Sequence, residues 1–228
     1  MDEREQFYLV DVLIRGGWVM VPLVLCSLVS LAIIIERLLW GPRRERVIPP
    51  EFVGEVRRLI LAGRLEEAHG LCRATNLSVA RVIDAAIRNV GKPRGQIVEA
   101  VELVGRREVV RLRRFLGILG TIVPISPLLG LLGTVSGMIH IFSVIQFEGV
   151  GNAAALAGGI SEALITTVTG LGIAIITLVF YRFFLHQSQK ALMDMEEVAL
   201  NIVDELSQFE QSSNQISRVE APPSKRMP

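Results

Sequence analysis

Charge is missing from long parts of this 228-residue chain. Residues 16–35, 115–147, 149–161 and 163–181 contain no Asp, Glu, Lys or Arg, so all 47 charged side chains fall in the other 143 positions. A soluble domain spreads charge more evenly, because each surface helix needs a wet face. Uncharged runs of about 20 residues match the hydrocarbon core of a bilayer, which excludes a soluble globular enzyme. Cysteine is equally scarce. Cys26 and Cys72 are the only two, too few for a disulfide framework, and they read as small hydrophobes. The formal net charge of +1 lacks the basic excess of a nucleic-acid protein. No metal-ligand spacing, nucleophile–base set or phosphate-cradling glycine loop appears. Neither a cofactor nor a metal is therefore expected, and no catalytic residue is assigned.

What is present predicts an all-α integral membrane protein with three transmembrane helices and long cytoplasmic helical extensions. The first span covers 17–40, with Trp18 and Trp40 placed where amphipathic aromatics favour the two interfaces. It is not a cleaved leader, since Asp2, Glu3 and Glu5 outnumber Arg4 before it and Glu36-Arg37 follows it. The second span covers 115–145. At ~1.5 Å per residue it is about 46 Å long, more than a ~30 Å core requires, and Pro124 and Pro127 are its expected kink sites. The third span covers 161–184.

Lys and Arg counts orient these spans. Residues 1–15 hold two against four acids, residues 36–114 hold seventeen, and residues 115–181 hold none. The N-terminus (1–16) and the 146–160 loop are thus expected outside, and residues 41–114 and the C-terminus in the cytoplasm, of a multi-pass membrane protein.

The inner segment 41–114 reads as a helical domain. Residues 51–61 and 64–74 are separated by Ala62-Gly63, and 77–90 carries Val79, Val82, Ile83, Ala86, Ile87 and Val90 on one helical face. Gly91-Lys92-Pro93 ends that helix, after which 96–114 is expected to run straight into the second span. Beyond the third span, a stripe from Leu192 to Phe209 marks a cytoplasmic helix over 185–211 that wants partner helices. Residues 212–228 have the polar, proline-bearing composition of a disordered tail.

Small residues dominate the second and third spans. Residues 117–172 hold 11 of the 20 glycines, with a GxxxG at Gly133 and Gly137, and Thr166, Gly170 and Ala174 recur every four residues. Lipid offers no hydrophobic drive between helices, so small residues that permit close backbone approach take over that role. Glu162 is the single acid between Glu148 and Asp194; an intramembrane acid is costly and by default functional. His140 is a possible proton relay. Three spans cannot enclose a pore in one chain, so any pore needs an oligomer.

The run SPLLGLLGTVSGM at 126–138 and the run GISEALITTVTGLG at 159–172 resemble the second- and third-span signatures of the ExbB/TolQ/MotA proton-channel family. Three spans and a short N-terminus resemble its ExbB/TolQ branch more than the four-span flagellar stators. The resemblance implies a homo-oligomer, a pentameric ring around a pore, holding a single-span ExbD/TolR-like protein that supplies the protonatable Asp. It carries the pore-lining threonines of the proton pathway to Thr134 and Thr167, and the family glutamate to Glu162. At about 100° per residue, Thr167 and Glu162 stand roughly 140° apart on one helix, so they are not expected to share a face. Ile175-Ile176-Thr177 replaces the proline that the family usually has after the third-span Gly-Leu, which predicts a straighter helix.

The resemblance implies a location in the bacterial inner membrane, with residues 1–16 and the 146–160 loop in the periplasm, and the function of a proton-conducting motor subunit. Such a subunit would couple the proton-motive force to a TonB- or TolA-like envelope protein, for outer-membrane uptake or envelope maintenance. The alternative is a non-conducting scaffold ring that anchors partner helices.

Overall fold

A computed structural model describes residues 16–41, 44–149 and 153–220. The expected periplasmic N-terminus, except its last residue, and the final eight residues of the expected disordered tail lie outside them. Eight helices account for the described chain: α1 (Met20–Trp40), α2 (Arg44–Val47), α3 (Pro50–Leu61), α4 (Leu65–Ala74), α5 (Ser78–Ile87), α6 (Arg94–Leu112), α7 (Leu116–Glu148) and α8 (Ala153–Glu220). The fold is all-α, and α1, α7 and the 156–205 stretch of α8 are long and apolar enough to cross a membrane. The chain divides into two compact units, residues 1–41 with 114–185, and residues 42–113 with 186–228.

The first unit contains the apolar spans. Val19, Met20 and Leu23 of the α1 start are buried against Leu129, Ile165 and Ile173. A second cluster gathers Ile33, Ile34, Leu116, Leu119 and Phe184. Its outward face is apolar too: Leu25, Leu28, Phe142 and Val179 are each at least 60 % exposed. That inverts the soluble pattern and suits lipid or neighbouring helices.

The second unit has a conventional interior. Val56, Ile60, Ala68, Val79, Val82, Ile83, Val101, Met195 and Ala199 form one buried cluster across α3, α4, α5, α6 and α8. Its buried carboxylates are paired. Glu108, 2 % exposed, accepts from Arg81 at 2.6 Å and Arg111 at 2.9 Å. Asp84 is flanked by His69 and by Arg88 at 2.9 Å. Burial, and then the nearby Asp84 charge, push the Cys72 thiol up to about 12, so it stays an inert thiol at neutral pH.

One sequence expectation is corrected, and two helix boundaries differ from the expected ones. Residues 96–114 do not run straight into the second span. α6 stops at Leu112, and Phe115 takes a left-handed backbone (φ 67°) before α7 begins. A non-glycine residue in that region costs roughly 1–2 kcal/mol, and the Arg114 guanidinium sits 4.8 Å over the Phe115 ring. Arg37 of α1 also donates to the Arg114 carbonyl, occupying an acceptor that a continuous helix would have used internally. The 146–160 loop is shorter than expected, because α7 continues to Glu148 and α8 starts at Ala153. Alanines at 153–155 favour helix, and Gly158-Gly159 is tolerated where Gly159 packs on α7. Residues 212–220, expected to be disordered, continue α8. No proline or glycine interrupts the chain there until Pro222. Both Pro124 and Pro127 lie inside the single helix α7.

Candidate functional site

Several hydroxyls of the spans collect where α7 meets α8. Glycines set the approach. A Cβ on Gly130 would stand 3.0 Å from the Thr166 carbonyl oxygen and 3.1 Å from the Thr167 Cα. One on Gly137 would meet the Gly159 carbonyl oxygen at 2.8 Å, one on Gly133 would overlap the Thr166 side chain, and one on Gly170 would overlap the Ser126 carbonyl. Side chains at these positions would force the helices apart. The sequence supplies glycine at one-turn intervals because backbone contact, not interdigitation, is the packing mode.

Hydroxyls line this seam. Thr166 is fully buried and donates back to the Glu162 and Ala163 carbonyls at 3.1 and 3.0 Å. Ser126, also fully buried, donates to Ile122 O at 2.9 Å. Thr167 instead crosses the seam, its hydroxyl donating to Gly130 O at 3.2 Å. Thr134, partly exposed, donates to Leu131 O at 2.7 Å. The two threonines singled out in the sequence therefore end on consecutive carbonyls of one helix, those of residues 130 and 131. Each hydroxyl keeps lone pairs that can accept a further hydrogen bond.

The other two candidates are not brought to that point. Glu162 is half-buried, and its carboxylate lies against Gly17 at the start of α1. His140 is exposed, six residues beyond Thr134. Among the described residues, no group of three His, Cys, Asp or Glu side chains is placed to hold a metal ion. Sequence reasoning missed the Trp18 Nε1 hydrogen bond to Ser136 Oγ (3.3 Å) and the Arg37 bond to Arg114 O. Partners 118 and 77 residues apart leave no local pattern to read.

This glycine-and-hydroxyl helix pair coincides with a family profile: the MotA/TolQ/ExbB proton channel family matches residues 74–197. An ExbB-like biopolymer transport protein of Synechocystis sp. is 35 % identical over 82 % of this chain and 91 % of its own length. The chain belongs to the MotA/TolQ/ExbB family. ExbB of Salmonella typhimurium is 30 % identical over 81 % of this chain and 79 % of its own. TolQ of Haemophilus influenzae, a Tol-Pal system protein, is 36 % identical over 37 % of each chain. The extent of these matches supports the ExbB/TolQ branch, whose members are membrane channel and motor subunits.

Proposed function

We propose that the chain is the proton-conducting subunit of an inner-membrane motor, a pentamer whose pore holds a single-span ExbD/TolR-like protein. The carrying observation is the pair of hydroxyls, Thr134 and Thr167, held on the neighbouring carbonyls 131 and 130 of a glycine-packed helix pair. A hydroxyl both donates and accepts, so this pair can pass a proton to or from water or an acid on the partner helix. The N-terminus is periplasmic and the C-terminus cytoplasmic, a reading that the Lys and Arg distribution supports. One charge crossing ~100 mV releases about 2.3 kcal/mol, which moves the partner relative to the ring. A TonB- or TolA-like protein then receives the force for biopolymer transport or for a Tol-type envelope process. His140 serves as a relay at one end of α7.

The test is proton flux into liposomes carrying this protein with its single-span partner. Thr134→Val with Thr167→Val is expected to lower the flux at least about 100-fold, the scale of losing a positioned proton-transfer group, with assembly intact. Equal flux in both samples would move the path elsewhere. Envelope output that persists after the proton gradient has collapsed would instead identify a scaffold.

A further inference from the structure

One buried hydroxyl of the spans stands apart from the others. Thr177 is 1 % exposed, and its Oγ1 meets no hydrogen-bonding atom among the described residues. Ser126 and Thr166, by contrast, donate back to their own helices, and Thr167 donates to Gly130 O. At about 100° per residue, Thr177 and Tyr181 fall within roughly 20° of the direction of Gly170, which faces the Ser126 carbonyl of α7. Thr177 is therefore turned toward α7. Contacts along the seam run in opposite order on the two helices, Gly137 with Gly159 and Ala163, then Gly130 with Thr166 and Thr167, then Ser126 with Gly170. Moving in that antiparallel register from Thr167 and Gly130, the same number of steps on each helix reaches Thr177 and Gly120. Gly120 does face α8, since a Cβ on it would stand 3.1 Å from the Tyr181 hydroxyl oxygen. Four residues further along α7 is Pro124. A proline has no N–H, so the Gly120 carbonyl lacks the donor that the helix would otherwise supply, which is costly in lipid.

We propose that the Thr177 hydroxyl, the Gly120 carbonyl and the Tyr181 hydroxyl hold one internal water molecule between α7 and α8. A buried water typically makes about three hydrogen bonds to groups that otherwise go unsatisfied, and this site offers a carbonyl that accepts and two hydroxyls that donate or accept. The water donates to Gly120 O in place of the missing Pro124 N–H and satisfies Thr177, tying the third span to the second where proline interrupts the hydrogen bonding of α7. The site rests on packing and hydrogen bonding and is independent of the proton path.

The test is water-edited solid-state NMR on the full chain in liposomes, with melting temperatures of the same samples. In the native protein the Gly120 and Thr177 signals should receive magnetisation from water, while those of the buried Leu23 and Leu116 should receive none at the same short transfer time. Thr177→Val, close to isosteric, should abolish the transfer at Gly120 and lower the melting temperature. Thr177→Ser, which keeps the hydroxyl, should retain the transfer. In a Pro124→Ala background the Gly120 carbonyl regains a helix N–H, so the shift caused by Thr177→Val should shrink. No transfer at Gly120 in the native protein, or transfer that survives Thr177→Val, would overturn the site. So would a melting temperature that rises in Thr177→Val, the result for a stranded hydroxyl whose removal relieves a desolvation cost. The native spectrum decides the first point whether or not Thr177→Val folds.

Discussion

The two compact units of this protein solve the packing problem in opposite ways. In the unit of residues 1–41 and 114–185, glycine is an interface residue: Gly130, Gly133, Gly137 and Gly170 all lie where a Cβ would strike the facing helix. In the unit of residues 42–113 and 186–228, the helical Gly54, Gly70 and Gly95 have nothing within 4 Å of an added Cβ, one on Gly105 would meet only the flexible Leu192 and Glu196 side chains rather than backbone, and cohesion comes from a branched aliphatic core. The difference follows from solvent. Water drives apolar side chains together, whereas lipid leaves close contact and hydrogen bonds as the available gains. Polar groups divide in the same way, with hydroxyls donating to carbonyls in the first unit and ion pairs around buried carboxylates in the second.

The sharpest way to break this contrast is Gly170→Ala. The added Cβ would overlap the Ser126 carbonyl, backbone that cannot rotate away, so we expect a loss of about 3 kcal/mol, at the upper end for overpacking. Thermal unfolding of the purified protein should show it, and an unchanged midpoint would refute close glycine packing at the α7/α8 seam. Next in size is Arg81→Met in the second unit. It removes one of two cations from the buried Glu108 and should cost about 2–3 kcal/mol, less than an unpaired charge because Arg111 stays. Gly54→Ala reverses the sign. In an open helix position it should stabilise by about 0.5–1 kcal/mol, and the opposite outcomes at Gly54 and Gly170 are the contrast in one experiment. The smallest effect belongs to Glu196. Burial, then the Glu102 charge, raise its carboxyl above the ordinary range, against a lowering by Arg106. A raised folded value means stability that is complete below the unfolded pKa and is lost as pH rises through the folded one. Glu196→Gln should therefore raise the melting temperature slightly at pH 7–8 and change nothing near pH 3.

Much of the fold was legible because its signals are local. Uncharged length marks a span, as in α1, and a 3.6-residue stripe marks a buried face, as in α5, where Val79, Val82, Ile83 and Ala86 are all fully buried. The repeat Thr166, Gly170, Ala174 proved to be the buried face of α8. The break at Phe115 was not legible. It rests on a left-handed residue that no composition rule favours and on a carbonyl taken by Arg37 from another helix. At the candidate site, the sequence could name Thr134, Thr167 and Glu162, and helical geometry could separate the last two. It could not say which carbonyl each hydroxyl meets.

The division is physical. Patterns repeating every few residues determine which segments are helices, which enter a membrane and which face carries glycine, since neighbours in the chain decide those energies. The chain itself determined that much of this protein. Register between helices is decided by steric fit among residues tens of positions apart, with single hydrogen bonds worth about 1 kcal/mol choosing between alternatives. Only the tertiary structure set Thr167 on the Gly130 carbonyl, Trp18 on Ser136 and the Glu162 carboxylate over Gly17, because those contacts exist only once three helices have fixed one another's height and rotation.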